Sequence, residues 1–340
     1  MTQDQRVGEA DVVVIGGGTG GYSTALRAAG LGLSVVLAER DKVGGTCLHR
    51  GCIPSKAMLH AAELVDGIAE ARERWGVKAV LESVDWPALV ATRDDIVARN
   101  HRGVQAHLAH ARVEVVAGGA ELTGPRTVRI EGYGEVAARR GIVLATGSRP
   151  RMLPGLAADG RGYVAPADWS RLETPVPGIH VVGDLLPPPS LGLAHASFAE
   201  GLLVAEALAG RRTTAVDYDA VPRVTYSAPQ TAAVGLSEAA ARDAGHDVVV
   251  NTLPLTAVAK GMVHGQGGMV KVVAERDGRV LGVHLVGPHV SEMIAESQLI
   301  VGWDAEPFDV AQHIHPHPTL SEAVGESFLT LAGRGLHQQA

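Results

Sequence analysis

The feature that most narrows the fold of this chain is a run of five glycines interrupted by one threonine, at residues 16–21. It follows an apolar segment, residues 12–15, with the length and composition of a buried strand, and it opens a helix predicted over about residues 22–29. A second strand at residues 34–38 completes a βαβ unit, so the sequence predicts a parallel α/β sheet.

Three of these glycines also predict a nucleotide site. Gly16, Gly18 and Gly21 match the pattern G-x-G-x-x-G, whose glycines permit a tight turn, the approach of a pyrophosphate and close packing of helix on strand. Glu39 follows about 20 residues later, where a carboxylate can accept hydrogen bonds from a ribose. This pattern does not separate FAD from NAD.

The composition is typical of a globular enzyme. Of the 340 residues 46% are hydrophobic and 20% are charged, and the formal net charge of -7 leaves no basic surplus for nucleic acid. The first ten residues are polar, and no apolar stretch of roughly 18 residues occurs, so we expect no membrane partner and a cytoplasmic location.

The chain has only two cysteines, Cys47 and Cys52, and the four residues between them are predicted to form a loop that can close at the start of a helix. In a reducing compartment a bridge between such neighbours is more often catalytic than structural. Pro54 suits the first turn of a helix running through residue 64, and a helix N-terminus together with Lys56 favours a thiolate. The alternative is a pair of small buried core residues.

The remaining pattern divides the chain further. Helices are predicted near residues 86–109 and 193–209, and strands at 113–116, 127–130, 141–144 and 179–182. Residues 149–177 are rich in Pro, Gly and Asp and indicate a connector. From residue 221 short strands (224–226, 248–251, 270–273, 280–285) alternate with helices (237–244, 290–303, 320–331), which indicates a separate α+β domain.

His317 and Glu322 form a candidate acid–base pair. They are five residues apart, and Pro318 suits the start of a helix, so the carboxylate can fold back toward the imidazole. A histidine held by a carboxylate suits a base that deprotonates a dithiol, although spacing alone favours a structural histidine. His313 and His315 imitate a metal cluster, but no cysteine or carboxylate completes it at ligand spacing, so no metal is expected.

Taken together, these segments resemble the flavin disulfide reductases, also called class I pyridine nucleotide-disulfide oxidoreductases, and within them the dihydrolipoamide dehydrogenases. The cysteine segment and HPTLSE are the most specific matches, whereas mercuric reductases are less similar because they usually carry extra C-terminal cysteines. The matching segments run from end to end of the chain: GGGTGG (16–21), Glu39, GGTCLHRGCIPSK (44–56), ATGS (145–148), GD (183–184), LAH (193–195) and HPHPTLSE (315–322).

The resemblance implies FAD as the cofactor and a redox-active disulfide between Cys47 and Cys52. Cys52 would lie against the flavin as the charge-transfer thiol, and Cys47 would exchange with the substrate dithiol. Ala120 stands where the family has a glycine near the adenine, while Gly147 and Asp184 have simpler alternatives as a turn glycine and a helix cap. The implied FAD-binding residues are Gly16, Gly18, Gly21, Glu39, Gly44, Gly45, Thr46, Lys56, Ala120, Thr146, Gly147, Ser148, Asp184, Leu193, Ala194 and His195.

The resemblance also implies a FAD-binding Rossmann-like domain in two segments, 1–150 and 178–215, a connector at 151–177, and a C-terminal α+β dimerisation domain at 220–334. His317 and Glu322 would act on the disulfide of the partner subunit in a homodimer. The substrate would be dihydrolipoamide, free or on a lipoyl carrier domain of a 2-oxoacid dehydrogenase complex.

The main departure from the family is the central NAD domain. Only residues 148–182 separate the ATG and GD segments, whereas a nucleotide-binding domain needs roughly 100 residues, and no second G-x-G-x-x-G occurs. We therefore expect oxidation of a dithiol through the disulfide to FAD, impaired NAD reduction, and oxygen, quinones or dyes as acceptors. The alternatives are a non-catalytic FAD-binding dimer and a dithiol oxidase or disulfide reductase that uses another thiol.

Overall fold

The computed structural model describes residues 8–148 and 165–338. The chain forms two compact units, Met1–Val216 and Asp217–Ala340. Residues 151–164 of the predicted connector lie outside the described ranges. Residues 165–177 contain turns and a bridge between Asp168 and Glu173, and Glu173 forms a second bridge with His180. The division into four segments stays a prediction.

The first unit begins with the predicted βαβ pattern. It also contains a short 3₁₀ turn, Gly183–Leu185. Its helices and strands, in chain order, are β1 (Gly8–Ile15), α1 (Thr19–Gly30), β2 (Val35–Glu39), α2 (Gly45–Arg50), α3 (Cys52–Arg74), α4 (Trp86–His110), β3 (Glu114–Ala117), β4 (Ala120–Gly124), β5 (Thr127–Ile130), β6 (Gly134–Leu144), β7 (Ile179–Val181) and α5 (Ala194–Leu208).

These seven strands form one sheet in the order β3-β2-β1-β6-β5-β4, with β7 also paired to β6. Strands β1, β2, β3, β6 and β7 pair in parallel, while β4 and β5 join antiparallel. One edge of β6 is shared, because its first half pairs with β5 and its last residues pair with β7. Val12, Val14 and Val143 are fully buried, as expected for parallel strands covered on both faces.

The parallel strands determine where a site can form. The loops that follow β1, β6 and β7 leave the sheet at the same edge, because the carboxyl ends of parallel strands point one way. Residues 16–18 and 145–148 lie in the first two of these loops, and residues 183–184 lie in the 3₁₀ turn that follows β7. Segments that are distant in sequence therefore meet at this edge.

The second unit is an antiparallel sheet with helices packed on it. The strand order is β10-β11-β12-β9-β8, and the fully buried Phe328 lies in a core shared by the sheet and the last helix. The elements are β8 (Arg223–Thr225), β9 (Gln230–Gly235), α6 (Glu238–Asp243), β10 (Val248–Pro254), α7 (Ala259–His264), β11 (Met269–Glu275), β12 (Val280–Gly287), α8 (Val290–Gly302), α9 (Pro307–Val310) and α10 (Glu322–Leu331).

The predicted fold class, a Rossmann-like α/β domain followed by a C-terminal α+β domain, is confirmed. Within residues 8–148 and 165–338 there is one parallel sheet of nucleotide-binding type and no second one. None of the helices in these ranges combines the length and the apolarity that a membrane span needs.

Two local predictions were wrong. Pro318 does not start a helix, because α10 begins at Glu322 with Ser321 at the N-cap position. The segment around Cys47 is a short helix of its own, α2, rather than a loop.

Candidate functional site

The glycine loop after β1 has no room for side chains at two positions. Gly16 has a φ of +103°, and a Cβ there would lie 2.3 Å from the carbonyl oxygen of Ala145. A Cβ at Gly21 would lie 1.8 Å from the carbonyl oxygen of Gly16. Close packing of α1 against β1 therefore depends on glycine at both positions.

Gly18 differs from these two because it faces open space. A Cβ at Gly18 would meet nothing within 4 Å, and Gly18 is the N-cap residue of α1 with no side-chain hydrogen bond at that cap. The first N–H groups of a helix and its dipole attract negative charge. This end of α1 fits a pyrophosphate.

Glu39 lies at the end of β2 beside the glycine loop. Its Oε2 accepts a hydrogen bond of 2.6 Å from the backbone N–H of Gly17, and its Oε1 accepts one of 2.8 Å from the N–H of Asp41. Each oxygen keeps a lone pair for a further donor such as a ribose hydroxyl. The backbone N–H of Gly118 donates to the carbonyl of Glu39, and Ala120 is the first residue of β4.

The glycines before the cysteines pack directly on the loop after β1. The N–H of Gly44 donates to the carbonyl of Gly17 at 2.7 Å. Gly45 has a φ of +59°, and a Cβ there would lie 2.7 Å from the Cα of Gly18. Helix α2 and its cysteine are therefore held against the nucleotide loop by backbone contacts.

Cys47 lies in α2, and Cys52 is the first residue of α3. Both are half-buried thiols. Burial, followed by the hydrogen bond and charge of Cys52, raises the pKa of Cys47 to about 12, while Lys56 acts in the opposite direction. In the reduced state Cys47 therefore holds its proton, and the pair is close enough to share a hydrogen bond.

Both cysteines open into one cavity of about 210 Å³ at the edge of the sheet. Ser148 donates a hydrogen bond of 2.6 Å from its Oγ to Oδ2 of Asp184 across this cavity wall. The cavity thus joins the two cysteines to all three loops at the carboxyl ends of the strands. Its lining residues are Gly18, Thr19, Gly20, Thr46, Cys47, Gly51, Cys52, Ala145, Gly147, Ser148, Val182, Gly183, Asp184, Gly192, Ala194 and Ser197.

Glu200 supports this wall from beneath. It is fully buried in α5, its Oε2 accepts a hydrogen bond of 2.7 Å from the backbone N–H of Gly183, and its Oε1 accepts one of 2.8 Å from Ser190 Oγ. The carboxylate therefore ties the turn that carries Asp184 to a neighbouring loop. This residue was not predicted from the sequence.

In the second unit His317 and Glu322 form the predicted pair. His317 Nδ1 lies 2.7 Å from Glu322 Oε1, and the backbone N–H of Thr319 donates to Glu322 Oε2 at 2.8 Å. Burial opposes the charge on Glu322, but the hydrogen bonds from Thr319 and His317 outweigh it and lower the pKa of the carboxyl. The ionised carboxylate can fix the orientation of the imidazole, whose side chain is 70% exposed.

His315 is paired with a different carboxylate. Its Nε2 lies 2.6 Å from Oε1 of Glu296 on α8, and the hydrogen bond to Glu296 raises the pKa of His315. His313 is exposed. Among the described residues no group of three or more His, Cys, Asp or Glu side chains could hold a metal ion.

Comparison with known proteins identifies the family. Residues 10–169 match the pyridine nucleotide-disulphide oxidoreductase model, and residues 221–328 match the dimerisation domain of the same oxidoreductases. The dihydrolipoyl dehydrogenase of Bacillus subtilis (strain 168) is 30% identical, over 97% of this chain and 99% of the relative. The chain belongs to the pyridine nucleotide-disulphide oxidoreductase family.

A second relative and two solved structures are also similar to this chain. The dihydrolipoyl dehydrogenase of Thermus scotoductus is 31% identical, over 97% of this chain and 98% of the relative. Among solved structures, LpdA from Mycobacterium tuberculosis has a TM-score of 0.84 at 18% identity, covering 96% of this chain and all of that chain. RclA from Escherichia coli has a TM-score of 0.77 at 19% identity, covering 94% and 99%.

The alignments also bear on the predicted loss of a domain. They extend over 473 and 465 positions, although this chain has 340 residues. Each alignment must therefore contain long gaps in this chain. A missing central domain fits these gaps, and the resemblance to the family predicted from the sequence is confirmed.

The cavity brings together only part of the predicted FAD site. Gly18, Thr46, Cys47, Cys52, Gly147, Ser148, Asp184 and Ala194 line it, whereas Gly16, Gly21, Glu39, Gly44, Gly45, Lys56, Ala120, Thr146, Leu193 and His195 are not in its wall. Four of these residues lie behind the wall, where glycine allows close contact between backbone segments: Gly16, Gly21, Gly44 and Gly45. Val182, Gly192 and Ser197 were not predicted, because their places depend on the pairing of β7 with β6.

Proposed function

We propose that the chain is a flavin-dependent dithiol–disulfide oxidoreductase that binds FAD and oxidises a dithiol through Cys47 and Cys52. One observation carries the proposal: both cysteines share a cavity with Gly18 at the N-terminus of α1 and with Asp184. A redox pair and a phosphate-binding helix end are thus parts of one site. Membership of an oxidoreductase family supports the same chemistry.

The residues around this cavity fit FAD. The open space at Gly18 admits a pyrophosphate, Glu39 retains acceptor capacity for a ribose, and the polar wall at Ser148 and Asp184 offers further hydrogen bonds. The remaining predicted contacts, including Lys56, Thr146 and His195, belong to the proposal. When bound, FAD supplies the acceptor for the two electrons that leave the cysteine pair.

In the proposed reaction a substrate thiolate attacks Cys47 Sγ, the bond between Cys47 and Cys52 breaks, and Cys52 leaves with the electron pair. The second substrate thiol then displaces Cys47 and closes the substrate disulfide. Two electrons pass from the substrate to the cysteines, and two protons are released from its thiols. His317, oriented by Glu322, accepts a proton from the substrate, and Cys47 Sγ holds one after reduction because of its raised pKa.

The substrate we propose is dihydrolipoamide, free or on a lipoyl carrier domain, because the 30% and 31% identical relatives are named dihydrolipoyl dehydrogenases. We also infer a homodimer, from the match to a dimerisation domain, in which the His317–Glu322 pair of one chain serves the cysteines of the other. NAD reduction is impaired in this proposal, and oxygen, quinones or dyes accept the electrons.

An anaerobic absorbance titration tests this function. Purified protein with bound flavin is titrated with dihydrolipoamide, and a separate sample is titrated with NADH. We expect a long-wavelength band with the dithiol, from a thiolate beside the flavin, and no flavin reduction by NADH. The Cys47→Ser variant should lose the reaction with the dithiol while it keeps the flavin.

Each of the other outcomes would refute one part of the proposal. Protein that binds no flavin, or flavin that does not respond to the dithiol in the wild type, would leave a non-catalytic dimer. Rapid reduction by NADH would refute only the impaired NAD step. A strong response to a different dithiol, with none to dihydrolipoamide, would replace the substrate and keep the reaction class.

A further inference from the structure

The second unit contains a histidine–carboxylate pair that the proposed reaction does not use. His315 Nε2 and Glu296 Oε1 are 2.6 Å apart and connect the loop before α10 to helix α8. The side chain of His315 is 11% exposed, whereas that of His317 is 70% exposed. The side chain of Glu296 is 37% exposed, so the pair is half-buried, and such a pair is costly unless its geometry is well satisfied. Its place next to His317 and Glu322 points to an electrostatic effect on them.

The His315 ring packs against the helix turn that carries Glu322. A Cβ at Gly325 would lie 2.3 Å from His315 Nδ1 and 2.7 Å from its Cε1, so this ring requires a glycine there. Gly325 is three residues after Glu322, and residues three apart lie on the same face of a helix. The ring therefore lies over the first turn of α10, beside the carboxylate that orients His317.

Charges of opposite sign surround these groups. His315 faces Glu296 from α8 and Glu322 from α10, and the hydrogen bond and charge of Glu296 together with the charge of Glu322 outweigh burial and raise the pKa of His315. Glu322 in turn faces His317 and His337. The cationic form of His315 is thus favoured by two carboxylates, one of which belongs to the candidate acid–base pair.

We propose that His315, fixed by Glu296, is a positioning residue whose charge acts on the His317–Glu322 pair and so sets how readily His317 takes up a proton from the substrate. This inference rests on the proposed role of His317 and Glu322 in proton transfer. Glu322 keeps the backbone N–H of Thr319 and the imidazole of His317 as hydrogen-bond partners, and the His315 ring lies over the same turn of α10. The two histidine–carboxylate pairs act as one network.

Two substitutions test the network because they change the local charge in opposite directions. His315→Gln removes a cation and leaves Glu296 as an extra negative charge, so the pH midpoint of His317 protonation should rise. Glu296→Gln removes an anion and leaves His315 cationic at low pH, so the same midpoint should fall. Each shift should be on the order of a few tenths of a pH unit, the size expected for charges several ångströms apart near a water-exposed surface.

The midpoint is measured by NMR titration of protein labelled with ¹³C-histidine, with the His317 signal assigned from its loss in His317→Gln. This readout needs no turnover. His313→Gln is the matched control, since His313 is an exposed histidine of the same loop. It should leave the midpoint unchanged. Thermal unfolding of each variant confirms that the second unit is intact.

The pH profile of dithiol oxidation gives the link to function. The pH midpoint of its acid limb should rise in His315→Gln and fall in Glu296→Gln, by the same amounts as the NMR midpoints. Shifts of equal sign in the two variants, or shifts no larger than in His313→Gln, would overturn the inference. Opposite NMR shifts in a protein that does not oxidise dithiols would support the network and refute the proposed function.

Discussion

The cavity in the first unit and the histidine pairs in the second unit are constructed in different ways. Around the cavity the main contacts are between backbone atoms. Glycines let α1, α2 and the loops after the strands come so close together that an added Cβ would clash. Around His317 the decisive contacts are between side chains, from Glu322, Glu296 and His315. The cavity should therefore be disrupted when a side-chain atom is added at one of these glycines. The histidine pairs should be disrupted when one of their charged groups is removed.

The largest effect should come from the cysteines themselves. Replacing Cys47 or Cys52 with Ser removes the bond that accepts the electrons, so dithiol oxidation should fall by more than about a thousandfold. Stopped-flow reduction of bound flavin by dihydrolipoamide measures this. The double variant should be no slower than either single variant, because the two sulfur atoms act as one unit. Clearly additive losses would contradict that view.

The second prediction concerns added atoms. Gly21→Ala places a methyl group 1.8 Å from the carbonyl of Gly16 and should destabilise the first unit by about 3 kcal/mol or more, with loss of flavin binding. Gly67→Ala in α3 meets nothing within 4 Å and should stabilise by about 0.5 to 1 kcal/mol. Urea unfolding of both variants, followed by circular dichroism, tests the contrast. A tolerated Gly21→Ala would show that the loop can relax.

The third prediction concerns the exception in the first unit, where a side chain does support the cavity. Glu200→Gln places an amide group against donors from Gly183 and Ser190 and should cost about 1 to 3 kcal/mol, with weaker flavin binding. The matched control on the same helix is Glu206→Gln, which removes a half-exposed ion pair with Arg27 and should cost less than about 1 kcal/mol. Equal costs would mean that Glu200 is only a packing residue.

The fourth and smallest effect is the pH dependence of Glu322. Its pKa in the folded protein lies below the ordinary value, so its stabilising contribution is present above that ordinary value and is lost as pH falls through the folded value. Glu322→Gln should therefore cost about 1 kcal/mol at pH 7, through its hydrogen bonds, and the cost should shrink in acid. Denaturant midpoints measured across pH, with exposed Glu82→Gln as control, test this sign.

The parts of the fold that depend on neighbours in sequence could be predicted. The β1–α1–β2 unit and Glu39 follow from a glycine pattern inside one βαβ unit, and His317 and Glu322, which were predicted to pair, are only five residues apart. By contrast, β9 was missed because its sequence, QTAAVG, consists largely of small residues and lacks a clear alternation of apolar and polar side chains. Helix α3 continues to Arg74, beyond the predicted end; none of its residues is buried, so no stripe of core residues marked its last turns.

The wall of the cavity could be predicted only in part. Ser148 and Asp184 are 36 residues apart and meet because β7 pairs with β6, a contact that no local pattern specifies. Glu200 left one signal, a carboxylate on the buried face of α5 among Ser197, Gly201 and Val204. A charged residue on such a face is costly without hydrogen-bond partners, and that cost could have identified it.

The pairing of β6 with β7 makes the sheet insensitive to the length of the chain between them. The chain leaves β6 at Leu144 and needs only to return at Ile179, the first residue of the adjacent parallel strand β7, for the hydrogen bonds between the two strands to form. The entropic cost of a longer excursion grows only with the logarithm of its length. This junction is therefore a natural insertion point, where evolution or an engineer can delete or splice in a whole folded module, such as a nicotinamide-binding one, without redesigning the flavin side of the protein.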